Sequence, residues 1–456
     1  MRKLTSLAFA AILALPAAQA EPYADGDVVV FFGDSITHAG HYHEYVTDYY
    51  RTRFPEARIR FVNSGIGGDT AEGARKRIPE DIAEYVPTHV AIAFGMNDAR
   101  RGSYAAQSTS RALASRARAL KRYETNLGRL AEEVRAAAPN ARLAYLTVTP
   151  YDDTVVLTNQ ADEANCAGCR VGLSLFAGLV IDAAAREGVQ VVDWYSPLNN
   201  FVQRHQRENP QFSVVASDRT HPTALGHAIM AWEFLKAQNA PAVVSEVEID
   251  AKGGTVAKAE NGEVTGLKAD ADGVSFELLA KALPLPVCEE ARPYLKEFDV
   301  ERTLNREIVR VTGLAAGTYA LKIDGVEVGR QTAEELAEGV GLGFNEKTPQ
   351  YRQAQEVARR NAELWERERV LRDHHSARWF FFGKAKVDDM AAFRAYYEEN
   401  VKEDAPEWVR YFGAFVPGYL EYWPKYKEVR AELWKDQDAV RRLAKPVPHT
   451  YEIRPI

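Results

Sequence analysis

The chain is expected to fold as an α/β protein on a parallel sheet, and three observations carry that expectation. Five short, nearly continuous apolar and β-branched runs recur at 27–32, 58–63, 89–94, 143–148 and 189–194. Runs of this kind suit strands buried on both faces. Amphipathic stretches separate them, at 44–54, 71–85, 112–138 and 171–187. Strand–helix alternation of this sort places helices on both faces of a parallel sheet. Polar, glycine-containing segments follow the first three runs, where open α/β sheets bind their ligands.

The remaining regions differ in character. Residues 1–20 combine Arg2 and Lys3, an apolar run and Ala18-Gln19-Ala20. That is the layout of a secretory leader, so an exported protein, periplasmic or extracellular, is expected. The apolar run is shorter than the roughly 20 residues that span a bilayer, and no later segment is long and apolar enough to do so. Loss of the leader would take the formal charge from −7 to −9. An acidic chain argues against a nucleic-acid partner, because such binding rests on basic residues neutralising phosphates. The α/β unit is expected over 22–240. Short alternating runs and the turn dipeptides Asn261-Gly262 and Asp324-Gly325 predict a small antiparallel β domain over 244–331, with a hairpin at 318–331. From 332 to 456 the pattern is helical. It contains a long charged amphipathic helix, read as solvated, and then dense aromatics from Trp408 to Trp434. Those aromatics are read as packing a helical region rather than stacking on sugars.

The chemistry concentrates in four pieces. The first strand ends in Gly33-Asp34-Ser35, which would set a serine hydroxyl at the start of a helix. The helix N-terminus favours an alkoxide-like nucleophile, though serine is also an ordinary helix cap. The second ends in NSGIGGDT, residues 63–70, a loop whose backbone N–H groups suit an anion. Its spacing is not that of a phosphate-binding P-loop. The third ends in GMND, residues 95–98, where the Asn97 amide suits a developing oxyanion. Much later, SDRTH places Asp218 and His221 three residues apart, just before a helix. Aspartate at that spacing can orient the imidazole, which then takes a proton from a serine. Nucleophile, base, orienting acid and oxyanion donors together make up a hydrolytic site.

Taken in order, GDSIT, SGIGGDT, GMND and DRTH resemble the four blocks of the GDSL, or SGNH, hydrolase superfamily. The resemblance covers roughly residues 26–237. It implies a flavodoxin-like three-layer α/β/α domain that hydrolyses esters through an acyl-enzyme, with no cofactor and no metal. Matched block by block, it makes Ser35 the nucleophile, His221 the general base and Asp218 its orienting acid. The oxyanion hole would be the Ser35 and Gly68 N–H groups and the Asn97 side chain, with Gly68 chosen over Gly65 and Gly67 because it precedes Asp-Thr. Residues 311–329 resemble an extension found on some exported bacterial members.

The expected activity is hydrolysis of short acyl esters, acetyl foremost, on a carbohydrate. A lysophospholipase or thioesterase is the alternative within the fold, and a non-catalytic binding protein the alternative of another class. A metal reading of His38, His41 and His43 lacks a companion carboxylate–histidine signature. Of the three, His38 is expected to touch substrate. Cys166 and Cys169 are expected to take part in a structural disulfide, with Cys288 left over.

Overall fold

A computed structural model describes residues 20–104, 109–157, 166–270 and 273–456. The expected leader lies outside the described residues apart from Ala20. Among the described residues no helix is long and apolar enough to cross a membrane.

The first half is a five-stranded parallel sheet. Its strands are β1 (Val28–Gly33), β2 (Arg60–Gly65), β3 (His89–Ala93), β4 (Arg142–Leu146) and β5 (Gln190–Val192), in the order β2-β1-β3-β4-β5. The reversal between β1 and β3 makes the topological switch point at which such sheets carry their sites. β1 pairs in register with both neighbours, Phe31 facing Asn63 on β2 and Ala91 on β3. Val29, Val30, Phe31 and Phe32 are fully buried, each contributing roughly 1.5–3 kcal/mol of apolar transfer. This is why the run is continuous rather than alternating.

Helices α1 (Ser35–Ala39) and α2 (His41–Arg53) follow β1. The stretch expected as one helix at 71–85 is broken into α3 (Ala71–Ala74), α4 (Ile78–Asp81) and intervening 3-10 turns. Pro79 falls at the start of α4, where it is tolerated, but it cannot continue a helix from α3. The layers are completed by α5 (Ser110–Ala137), α6 (Cys169–Glu187), α7 (Tyr195–His205) and α8 (Ala224–Ala237). α2 packs with α8, whereas α5 packs with α3 and α6. The result is the three-layer α/β/α arrangement expected from the sequence.

Two further sheets enclose a second core of Val247, Ile249, Phe276, Val309, Tyr451 and their neighbours. Their elements are β6 (Val243–Asp250), β7 (Thr255–Glu260), β8 (Gly262–Asp270), β9 (Gly273–Ala280), α9 (Val300–Leu304), β10 (Arg306–Thr312), β11 (Thr318–Ile323), β12 (Val326–Thr332), α10 (Ala333–Glu338) and β13 (Val340–Gly341). β11 and β12 form the expected hairpin, with Asp324 and Gly325 both at positive φ as a primed turn requires. The domain is not wholly antiparallel. β6 and β10 run parallel, since a long crossover separates them.

The last segment holds α11 (Pro349–Phe381), α12 (Met390–Asn400), α13 (Glu407–Gly413), α14 (Val416–Tyr422), α15 (Tyr426–Leu443) and a closing strand, β14 (His449–Pro455). β14 returns to the small domain and inserts between β9 and β11. The aromatics mostly pack together, as in the stacked pair Phe380–Phe412 at 4.5 Å, while Trp408 and Tyr411 stay half exposed. α11 is not solvated all round. It lies against α2 and reaches the end of β2.

The expected disulfide is absent: Cys166, Cys169 and Cys288 are all free thiols. Cys169 opens α6 with its side chain in the core, and burial pushes its thiol up to about 12. Cys166 lies instead against the Tyr151 hydroxyl, and Cys288 against Tyr45. The tight turn in which Cys169 N–H donates to Cys166 O fixes the backbone without a cross-link.

Candidate active site

Three strand ends and one late loop meet at the carboxyl edge of the sheet. At the end of β1, Asp34 rather than Ser35 caps α1, accepting the Ile36 N–H at 3.0 Å. Ser35 is therefore not spent as a cap and keeps its hydroxyl free for another partner. Burial pushes the Asp34 carboxyl up to about 6. α1 can lie this close to β2 only because residue 65 is glycine. A Cβ there would come within 2.1 Å of the His38 backbone nitrogen.

The partner of Ser35 is His221, whose Nε2 lies 2.8 Å from Ser35 Oγ. His221 Nδ1 contacts Asp218 Oδ2 in a very short hydrogen bond. Asp218 Oδ1 also accepts the Thr220 and His221 backbone N–H groups, both at 3.0 Å. Partial burial pushes the Asp218 carboxyl up, but these hydrogen bonds outweigh it and hold the group well below the usual carboxylate range. The loop that carries the pair is itself anchored. The buried Arg219 donates to the carbonyls of Asp152 and Val155, and Arg101 donates to Thr220 Oγ1 at 2.8 Å. α8 begins just beyond, capped by Thr223.

The loop after β2 distinguishes its three glycines. Gly65 N–H donates to Asn63 Oδ1, and Gly67 N–H donates to His38 Nδ1 at 3.2 Å. Gly68, held at φ +77°, has no backbone N–H acceptor among the described residues. The Ser35 N–H is likewise unpaired there, as the first residue of a helix. Asn97 Nδ2 donates one hydrogen to Asp69 O at 2.9 Å, which fixes the amide and leaves its second hydrogen available. Ser35, His221 and Asp218 are thus joined by direct hydrogen bonds, and Asn97 is joined to the loop that carries Gly68.

A buried ionic cluster lies behind these loops, and sequence reasoning missed it. Arg77 donates to Asp69, Asp81 and the carbonyls of Ser64 and Gly33, and stacks 4.4 Å over Phe32. From α11, Arg372 donates to Asp81 and to Gly65 O. Burial alone would raise the Asp81 carboxyl, but Arg372 and Arg77 hold it well below the carboxylate range. Asp69, adjacent to Gly68, offered some signal in the GGDT block. Arg372 offered none, since nothing local marks one arginine of a charged helix as buried.

The placement expected for His38 is corrected. It is buried, with Nδ1 accepting from Gly67 and Nε2 3.0 Å from Asp373 on α11. Both nitrogens face partners inside the protein, so His38 is a positioning residue between the second loop and α11. Burial lowers its pKa, with the neighbouring Asp373 opposing that shift. His43 is buried beneath Phe31 and hydrogen-bonded to Thr37 O, whereas His41 is exposed near Glu44. The three rings point to different neighbours.

Residues 31–229 match the GDSL-like lipase/acylhydrolase family. A solved gut microbial diltiazem-metabolizing enzyme superposes with a TM-score of 0.86 at 30% identity, covering 96% of this chain and all of that one. This chain belongs to the GDSL/SGNH hydrolase superfamily. An acetylxylan esterase of Geobacillus stearothermophilus is 26% identical over 226 residues, 46% of this chain and 93% of that protein. The protein is accordingly a carboxylic ester hydrolase. The solved diltiazem-metabolizing enzyme extends the likeness across the small β domain and the C-terminal helices, which the acetylxylan esterase match does not reach.

Proposed function

We propose that the protein is an exported serine esterase that removes short acyl groups, acetyl foremost, from carbohydrate esters. The observation that carries this reading is the relay from Asp218 through His221 to the Ser35 hydroxyl, with Nε2 2.8 Å from Oγ. Ser35 attacks the ester carbonyl while His221 takes its proton. Asp218, kept ionised by its hydrogen bonds, orients the ring and stabilises the imidazolium. The Ser35 and Gly68 N–H groups and the free Asn97 hydrogen stabilise the oxyanion. His221 then protonates the departing alcohol, and a water activated by the same imidazole releases the acid from Ser35. The acetylxylan esterase relative supports an acetyl group and a sugar alcohol. The leader-like residues 1–20 support export.

The test is turnover of p-nitrophenyl acetate, acetylated xylo-oligosaccharide, diltiazem and a series of longer acyl esters. Ser35→Ala is expected to lower kcat by about 10⁴-fold or more. Asn97→Ala should lower kcat by about 10²–10³-fold. Turnover that survives Ser35→Ala would sink this reading, and a preference for long acyl chains would redirect it to lipid esters.

A further inference from the structure

Beyond the catalytic groups, the region next to Asn97 is strongly basic in an otherwise acidic chain. Residues 99–122 contain seven Lys or Arg and no Asp or Glu, against a formal charge of −7 for the whole chain. A cavity of about 630 Å³ opens beside Asn97 and is lined by Arg100, Arg101 and Arg111. It continues into a second cavity of about 500 Å³, which shares Arg100 and Ser115 with the first and adds Arg118, Arg122 and Arg129. Arg101 ties this groove to the catalytic loop through Thr220.

The arginines form a line. Positions 111, 118, 122 and 129 of α5 fall at helical intervals of seven, four and seven residues, so they share one face. Over 18 residues that face is about 27 Å long. Glu72 pairs with Arg122, but Arg100, Arg111, Arg118 and Arg129 have no carboxylate partner among the described residues. Arginines left unpaired along a groove that starts at the oxyanion donor are placed to receive carboxylates of an extended substrate. Arg100 is also held at φ +52° directly after the Asn97 turn, a conformation a non-glycine residue adopts at a cost.

We infer that the preferred substrate is an O-acylated acidic polysaccharide, a polyuronate whose carboxylates pair with the arginine line while an acetyl group reaches Ser35. This rests on the esterase reading and adds the charge of the alcohol portion. A linear polyanion fits better than a membrane, because the basic residues line a groove rather than flank an apolar face.

The experiment compares kcat/KM on acetylated oligogalacturonate with that on acetylated xylo-oligosaccharide, in wild type and in an Arg111→Gln/Arg118→Gln/Arg129→Gln variant. The acidic-to-neutral ratio is expected to be about 10 or more in wild type. It should fall below about 2 in the variant and shrink as salt is raised from low to high. Taking a ratio cancels any loss common to both substrates. A wild-type ratio near one, or a ratio that the variant leaves intact, overturns the inference. Binding is read separately by calorimetry of unacetylated galacturonate hexamer on the Ser35→Ala protein, with and without the three substitutions. Loss of binding on substitution supports the groove, and absence of binding to the unsubstituted form overturns it. Tighter binding of single-stranded DNA or of phosphatidylglycerol vesicles also overturns it. If wild type turns over no ester at all, the esterase reading fails while calorimetry still decides the groove.

Discussion

α5 and α11 are both long, arginine-rich helices, yet the protein uses them in opposite ways. α5 leaves Arg111, Arg118 and Arg129 exposed along a groove beside Asn97. α11 buries Arg372 at 3% exposure against Asp81 and Gly65 O, and buries Arg378 against Glu80. The difference lies in what each helix faces. The surface opposite α11 offers Asp81, Glu80 and the carbonyl end of β2, so its charges are paired as they leave water. The face of α5 offers few carboxylates, so its charges stay in solvent. Burial of an arginine is thus decided by the partner surface, since an unpaired buried charge is too costly to keep.

The strongest way to break this comparison is Arg372→Met. It leaves Asp81 buried with Arg77 as its principal cation, and a loss of about 3–5 kcal/mol is expected in urea unfolding. A cost under about 1 kcal/mol would mean that apolar contacts, rather than this seam, hold α11 in place.

A second test uses Glu368, one helical turn before Arg372. Burial pushes its carboxyl up to about 7, despite a long hydrogen bond from Asn63 N–H and the nearby Arg372. A carboxyl raised in the folded state stabilises the fold below its unfolded pKa near 4.5, and that contribution is lost as pH rises through about 7. Glu368→Gln cannot titrate. Relative to wild type it should therefore gain stability between pH 4.5 and 8, by up to about 3 kcal/mol. A difference that stays constant with pH would show Glu368 already ionised and paired. The smallest effect belongs to α5. Arg118→Gln should change stability by less than about 0.5 kcal/mol in the same unfolding assay, as exposed substitutions do.

Much of the site was legible because it is local. Ser35, Gly68 and Asn97 each follow a strand whose apolar run announces it, and Asp218 and His221 lie within one turn of each other. Local pattern also located the five strands to within about two residues. It failed where pairing is long-range. His38 looked like a residue of the substrate lip because it stands three residues from Ser35. Its real partners, Gly67 and Asp373, come from another strand end and from a helix more than 300 residues later. The cysteines failed for a related reason. Spacing records proximity along the chain but not that Cys169 turns into the core while Cys166 turns to Tyr151.

The sequence by itself determined the parallel sheet, the order of its strands and helices, and the residue types at the strand ends, because strand burial and loop chemistry are written in short runs. Only the tertiary structure decided that His38 turns to Gly67 and Asp373, that the three cysteines stay unpaired, and which arginines are buried and which exposed. Those outcomes depend on surfaces that touch only after folding. A single charged helix carries no record of the carboxylates that will face it.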